Sequence, residues 1–310
     1  MTEQLQPIVV IAGPTATGKT AAAIEVARHL DGELVGADSV QVYRGFDIGS
    51  AKPAQDELGG MVHHLIDAID PNEEVDAVAY AKLADAAIAD MVSRSKLPIV
   101  VGGTGLWIRA LVRGLVEVPP VDQEIRARLE TEAAERGAPA LHTRLAAVDP
   151  ISAGAVHPND SLRIVRALEV YEQTGTPLGT LREVHALGEP RYRASFVVLD
   201  MEREAHGTII ASRTKRMLES GWADEVRTLR SRWGDELRPL RSVGYREVLE
   251  HVRDGVPLDE TLRKIVKSTR VYARRQRTWF KSEPGVSWRS ESAELRAPGG
   301  LQRIARELGR

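Results

Sequence analysis

The stretch PIVVIAGPTATGKT, residues 7–20, constrains the fold more than any other part of the chain. An apolar run of strand length leads into Gly13, Pro14, Thr15, Ala16, Thr17, Gly18, Lys19 and Thr20, which fit the pattern G-x-x-x-x-G-K-[ST], and a helical pattern follows from Lys19. A strand, a glycine-rich loop and a helix in that order make a phosphate cradle: loop amides and the helix N-terminus face phosphate oxygens, and the lysine adds a point charge. Thr20 offers a hydroxyl to Mg2+. Such a loop grips phosphates without saying which bond breaks next.

The next part of the chain keeps the alternation. A helix over Lys19–Leu30, the strand ELVGAD, a helix near 80–95 and the strand LPIVVGG read as a parallel α/β sheet with helices on both faces. After VEVPPVD only helical segments follow, the first with Asp122 as N-cap and the last ending at Gly175, until SFVVLD at 195–200 returns to the sheet. The expected organisation is an α/β core, 1–120 and 190–310, interrupted by an all-helical insertion at 121–189, with the PP and GEP stretches at its boundaries.

At 310 residues there is room for two domains, and 43% apolar with 28% charged residues is the balance of an ordinary globular protein. The net charge of -2 conceals a split: residues 1–120 carry 9 Lys+Arg against 16 Asp+Glu, and the remainder 33 against 28. The later part therefore suits an anionic partner. The absence of cysteine excludes disulfides and thiolate zinc sites, and the eight histidines form no HExxH pair. The adjacent His63 and His64 read as structural. MTEQLQ lacks the basic region of a signal peptide, and the apolar run behind it is too short to span a bilayer, so a cytosolic enzyme with no membrane association is expected.

ADSVQVY places Asp38 at the carboxyl end of the second strand, beside the cradle, where ligands of open α/β sheets sit. A carboxylate there can bind magnesium, accept a proton from a nucleophile, or cap a helix. GGTGLW makes a second glycine-rich strand-to-helix turn, with Thr104 near the helix start. Near the C-terminus, RKIVKSTRVYARRQRTWFK at 263–281 holds eight Lys or Arg and no acid. Arg263, Lys267, Arg270, Arg274, Arg277 and Lys281 are spaced 4, 3, 4, 3, 4, one cationic stripe on a helix, with Ile265, Thr269, Tyr272, Gln276 and Trp279 on the opposite side. That face suits a nucleic-acid backbone, or is a solvated surface. Arg163 and Arg166 of the insertion stand at i, i+3 and could extend it.

In their order along the chain, GPTATGKT, ADSVQVYRGFDIGSAKP, PIVVGGTGLWIRAL, HPNDSLRIVRALEV, RTKRMLESGWADEV, SVGYREVL and YARRQRTWF resemble the bacterial tRNA dimethylallyltransferases, also called tRNA isopentenyl transferases. DSVQVYRG followed by IGSAKP, with the late RQRTWF, is the most specific part. The resemblance implies a P-loop NTPase-like core carrying a helical insertion, with a tRNA anticodon stem-loop held between them. It implies transfer of a dimethylallyl group from dimethylallyl diphosphate to N6 of the adenosine 3′-adjacent to the anticodon, in tRNAs reading U-starting codons, by a monomer. Carried onto matching positions, the loop from Gly13 to Thr20 would bind the diphosphate, with Thr20 on Mg2+, and Arg213 would face it. Asp38 would be the general base, and Asp38, Ser39, Val40 and Gln41 would line the adenosine pocket. Thr104 and Arg126 would touch the tRNA around the target base. Leu162, Arg163, Ile164, Val165 and Arg166, and Arg241, Ser242, Val243, Gly244, Tyr245 and Arg246, would make further tRNA contacts, joined by Arg274 and Arg277 of the stripe.

The chemistry suits these residue types. Departure of diphosphate from an allylic carbon leaves negative charge on oxygen, which Lys19, Arg213, Mg2+ and the loop amides would stabilise. The exocyclic amine of adenine is a weak nucleophile, and a carboxylate accepting its proton supplies what is missing. Some positions depart from the family pattern. AHGTIIASR lacks the Tyr and Arg common before Arg213, which leaves that turn's part in diphosphate binding unsupported; Trp107 stands where Tyr is usual, and Ser50 for Thr. The residues up to Arg310 include no zinc-finger extension like that of eukaryotic relatives, so a protein of bacterial type is expected. The leading alternative is a P-loop kinase of a nucleotide or small metabolite, which explains the cradle and Asp38 but not the cationic stripe.

Overall fold

The computed structural model describes residues 5–186 and 190–309. The apolar runs become strands β1 (Pro7–Ala12), β2 (Gly32–Ala37), β3 (His63–His64), β4 (Leu97–Gly102), β5 (Arg193–Leu199) and β6 (Trp288–Ser290). All pair in parallel, in the order β3-β2-β4-β1-β5-β6. The two shortest strands, β3 and β6, escape sequence reading because two or three residues carry no periodicity. LPIVVGG is thus the fourth strand in chain order.

Register explains the placement of the site. Ala12 of β1 and Ala37 of β2 both pair with Gly102 of β4, so three strands end level. The turns that follow, beginning with Gly13, Asp38 and Gly103, therefore leave the sheet side by side at its carboxyl edge, the usual ligand edge of an open parallel sheet. β2 and β4 are buried along their whole length, as strands covered on both faces must be.

Four helices, α1 (Lys19–Leu30), α2 (Gln55–Leu58), α3 (Ala77–Ser93) and α4 (Gly105–Arg113), accompany the early strands. A helical segment follows: α5 (Gln123–Arg136), α6 (Ala138–Val148), α7 (Pro150–Ala155), α8 (Ser161–Thr174) and α9 (Leu178–Ala186). After β5 come α10 (Arg203–Glu219), α11 (Trp222–Trp233), α12 (Tyr245–Asp254) and α13 (Leu258–Lys281), and after β6 come α14 (Ser292–Arg296) and α15 (Pro298–Glu307). α1 lays Ala22, Ala23 and Val26 against Val9, Ile11, Leu34 and Ile99, and Leu295 and Ile304 close the same cluster. No described helix is long and apolar enough to cross a membrane.

The chain divides into two compact units, Met1–Val112 with Arg191–Arg310, and Arg113–Pro190. The second has its own core, with Leu129, Leu141, Leu145, Ile164 and Leu168 at the centre. Val116 and Val118 pack onto that core, so the residues just before 121 go with the helices. Asp122 caps α5 by accepting from the Glu124 and Ile125 amides, and Gly175 ends α8 in the left-handed conformation. At the other boundary, Gly188 and Glu189 of the GEP stretch lie outside the described residues.

Candidate active site

The phosphate loop is braced by its neighbours. At Gly13 φ is +143°, and a Cβ would lie 2.2 Å from the Leu199 carbonyl oxygen, so only glycine can pass β5 there. The Thr17 hydroxyl and the Lys19 ammonium both donate to the Pro14 carbonyl, at 2.9 and 2.7 Å. The Thr15 amide donates to Gln276 Oε1 of α13 at 2.8 Å, while Gln276 Nε2 donates to the Gly103 carbonyl at 2.9 Å. One buried carboxamide thus ties the two glycine-rich turns together.

His206 of α10 adds a second brace. Its Nε2 donates to the Thr15 carbonyl at 2.7 Å and its Nδ1 accepts from Arg277 at 3.0 Å, so the ring is the neutral Nε2–H tautomer. Burial holds its pKa below the ordinary value, the Thr15 carbonyl opposing and Arg277 assisting. Arg277 is itself held by Asp200 at 2.7 Å.

Asp38 emerges from β2 into a turn and caps no helix. Its Oδ1 accepts from the Val40 and Gln41 amides at 2.9 and 3.3 Å. The Ser39 amide donates to Thr104 Oγ1, and the Thr104 amide to the Ala37 carbonyl, both at 3.1 Å, which fixes the two turns against each other. Gln41 Nε2 donates to the carbonyls of Ser50 and Ala51, leaving Oε1 as its remaining acceptor. Two charged groups hold this long loop. The nearly buried Lys52 ammonium reaches Asp47 and Asp67, each at 2.6 Å, and Glu225 of α11 accepts from the Asp47 and Ile48 amides and the Tyr245 hydroxyl. At Gly49 a Cβ would meet Trp222 Nε1 at 2.0 Å, so the loop and α11 pack without room for a side chain.

Two cavities meet at Asp38 and Arg213, which line both. The first, of about 490 Å3, is walled by Gly18, Lys19, Thr20, Gln41 and Arg296. The second, of about 290 Å3, is walled by Ser39, Val40, Trp222, Val243, Tyr245 and Tyr272. Burial lowers the Lys19 ammonium to about 8, against the pull of Asp38 and with Arg213 assisting. Burial also lowers the Arg213 guanidinium, with Asp38 opposing, and Arg213 makes no hydrogen bond or ion pair among the described residues. Tyr272 is pushed above the ordinary phenol range, by burial first and then by Asp38. The first cavity thus holds a buried lysine and an arginine with no ion-pair partner among the described residues, with the carboxylates of Asp38, Glu25 and Glu57 elsewhere in its wall.

The remaining expected site residues divide by environment. Arg126 donates to the fully buried Glu169 at 2.6 Å, and Arg166 donates to the other oxygen of the same carboxylate at 2.7 Å. Ile164 and Val165 belong to the helical core, whereas Leu162 is 79% exposed and Arg163 pairs with Asp160 at the surface. Arg241 and Arg246 are exposed and paired with Glu236 and Glu247, the Ser242 hydroxyl donates to the Pro239 carbonyl, and Gly244 packs on Trp222.

The basic residues of α13 do not form the single cationic stripe expected from their spacing. Arg277 is turned inward, its side chain only 13% exposed, because Asp200, the Met201 carbonyl and His206 take its donors. Arg270 donates to the Gly207 carbonyl, and Arg263 pairs with Asp259. Lys267, Arg274 and Lys281 have no acidic partner among the described residues. The opposite face buries Ile265 and Gln276 as the spacing requires, with Thr261, Ala273 and Phe280 alongside.

A phosphate cradle opening onto a carboxylate and an unpaired arginine, at the carboxyl edge of a parallel sheet, defines a P-loop α/β enzyme of the group-transfer class. Its lineage is equally plain: the chain belongs to the IPP transferase family, whose model matches residues 41–283. It is 47% identical to a tRNA dimethylallyltransferase of Anaeromyxobacter sp., over 97% of this chain and 96% of that protein. Among solved structures, it is similar to the tRNA Δ(2)-isopentenylpyrophosphate transferase of Staphylococcus epidermidis, at 31% identity and TM-score 0.70, over 98% of this chain and 99% of that one. It is also similar to a eukaryotic dimethylallyltransferase acting on tRNA, at 26% identity and TM-score 0.78, over 97% of this chain and 78% of that one.

Proposed function

We propose that the protein transfers the dimethylallyl group of dimethylallyl diphosphate to N6 of the adenosine 3′-adjacent to the anticodon in tRNAs reading U-starting codons, releasing diphosphate. The observation that carries this reading is that Asp38 and Arg213 stand, with Thr15, Ala16 and Ser50, in the wall shared by the two cavities. The cationic cavity suits the diphosphate, and the one lined by Trp222, Tyr245 and Tyr272 suits an extruded base, which stacks on aromatic surfaces. Carbon 1 of the allyl chain then lies between them.

In this reading the carbon–oxygen bond to the diphosphate breaks, with its electrons going to oxygen beside Lys19, Arg213 and the loop amides. The N6–carbon bond forms, and Asp38 takes the N6 proton. With Oδ1 occupied by two amides, the carboxylate is oriented before substrate arrives. The Gln41 Oε1 acceptor is placed to orient the base. Magnesium fits the cradle: the Thr20 hydroxyl has no partner among the described residues, and no cluster of three carboxylate or imidazole ligands is found there. An ion that keeps its waters and binds substrate phosphates needs only one or two such protein ligands. When bound, it supplies charge neutralisation on the leaving diphosphate. Arg274, Lys267 and Lys281, which have no acidic partner among the described residues, offer charge to tRNA phosphates, as do Arg163 and Arg241, whose surface ion pairs are weak enough to exchange, and Arg246, whose guanidinium is exposed although its partner Glu247 is buried. The enzyme acts as a cytoplasmic monomer.

Purified protein given dimethylallyl diphosphate, Mg2+ and an anticodon stem-loop with adenosine at the target position should add one dimethylallyl mass to the RNA. Turnover of ATP to ADP with no change in RNA mass would falsify the transferase reading in favour of a kinase.

A further inference from the structure

The C-terminal segment past residue 283, where the family match ends, reaches the phosphate loop. β6 pairs with β5 so that Ser290 stands opposite Leu199, whose carbonyl lies against Gly13. The chain therefore turns into α14 directly beside the cradle. Leu295 of α14 is completely buried in the cluster formed with Ala22, Ala23 and Val26 of α1, which fixes where this short helix lies. The Ser292 hydroxyl donates to the Gly18 carbonyl at 3.1 Å, and a Cβ at Gly18 would stand 2.9 Å from that hydroxyl. One turn later, Arg296 Nε donates to the Ser292 carbonyl at 3.3 Å, drawing the side chain back along the helix toward Gly18. Arg296 has no acidic partner among the described residues, and it lines the same cavity as Lys19, Thr20 and Arg213.

We propose that Arg296 binds the diphosphate group, and that α14, latched to the loop by Ser292, completes that site. The inference rests on the reading of this cavity as the diphosphate site. Arg296 stands at the exposed side of the cavity, so it meets the anion on entry and holds its outer oxygens, while Lys19 and Arg213 hold it within. A guanidinium suits this position because it can present two parallel donors to one phosphate. Ser292 acts as a positioning residue.

The test measures binding of inorganic diphosphate with Mg2+ by calorimetry, and KM for each substrate, in Arg296→Ala, Arg296→Lys and Arg306→Ala. Arg306 is an exposed charge on the same segment that does not line the cavity, so its removal controls for net charge. Arg296→Ala should weaken diphosphate about fivefold, raise KM for dimethylallyl diphosphate similarly, and flatten the salt dependence of diphosphate binding. Arg296→Lys should recover part of the loss, and KM for the stem-loop should hold. Equal diphosphate affinity in Arg296→Ala and Arg306→Ala overturns the inference. A wild-type protein that binds diphosphate through Arg296 yet never prenylates RNA would overturn the proposed reaction instead.

Discussion

At the scale of single residues, Asp38 and Lys19 make opposite demands on the site. Asp38 must be ionised to take a proton from N6, and Lys19 must be charged to hold the leaving group. Truncation of Asp38 removes the proton acceptor and frees the Val40 and Gln41 amides, while the Ser39–Thr104 bond and the Gln41 carboxamide still hold the turn. Asp38→Ala should therefore lower the single-turnover rate about 10²-fold, with stem-loop affinity nearly unchanged. A parallel loss of affinity would make Asp38 a positioning group. Lys19 sets the upper pH limit. Its folded pKa of about 8, down from 10.5, means that the free enzyme has lost about half of the ammonium charge by pH 8. The diphosphate substrate is fully ionised by then, so the substrate contributes no titration of its own in that range. Affinity for dimethylallyl diphosphate should be flat well below pH 8 and then fall, approaching about tenfold per pH unit above it. Lys19→Met should bind weakly and without that bend; a bend that persists in Lys19→Met would assign the titration to another group.

At the scale of elements, α13 divides its basic residues between two tasks. Arg274 is exposed and has no acidic partner among the described residues, whereas Arg277 completes the chain from Asp200 through His206 to the Thr15 carbonyl. Arg274→Ala should weaken stem-loop binding and reduce the slope of log affinity against log salt by about 1. Arg277→Ala should leave that slope alone and instead destabilise the fold by about 1–3 kcal/mol, with a raised KM for dimethylallyl diphosphate, because it strips Asp200 and His206 of their partner. Equal salt slopes for the two variants would refute the division. The 4, 3 spacing reveals that these arginines share a helical face, but a face is some 100° wide and the partner residues Asp200 and His206 lie far off in sequence. Gln276 was legible only as a polar residue on the buried side. Its bond to the Thr15 amide depends on the sheet bringing two distant turns together. The caps at Asp122 and Gly175 are local hydrogen-bond chemistry, and there the sequence is sufficient. Glu169, the hub for Arg126 and Arg166, gives no local sign of being buried.

At the scale of the whole molecule, the sheet edge near β3 couples stability to acid. Glu33 of β2 is buried and bonded to Arg94 and His64, and these bonds, Arg94 first, lower its carboxyl from 4.5 to about 2. His63 has both ring nitrogens buried without partners among the described residues, and burial lowers its pKa from 6.5 to about 4 with the charge of His64 assisting. Both folded pKa values lie below the unfolded ones, so the unfolded chain binds more protons throughout the acid range and stability falls as pH falls. The His63 contribution is whole above 6.5 and is lost down to about 4, and the Glu33 contribution is whole above 4.5 and is lost down to about 2. Each amounts to about 2–3 kcal/mol, a substantial part of what holds an ordinary domain together. The urea midpoint should accordingly drop in two stages on acidification. His63→Asn should flatten the upper stage alone, and Glu33→Gln the lower stage alone. If His63→Asn keeps the wild-type slope between pH 6.5 and 4, the buried imidazole is not the group that titrates, and the upper stage belongs elsewhere in the sheet.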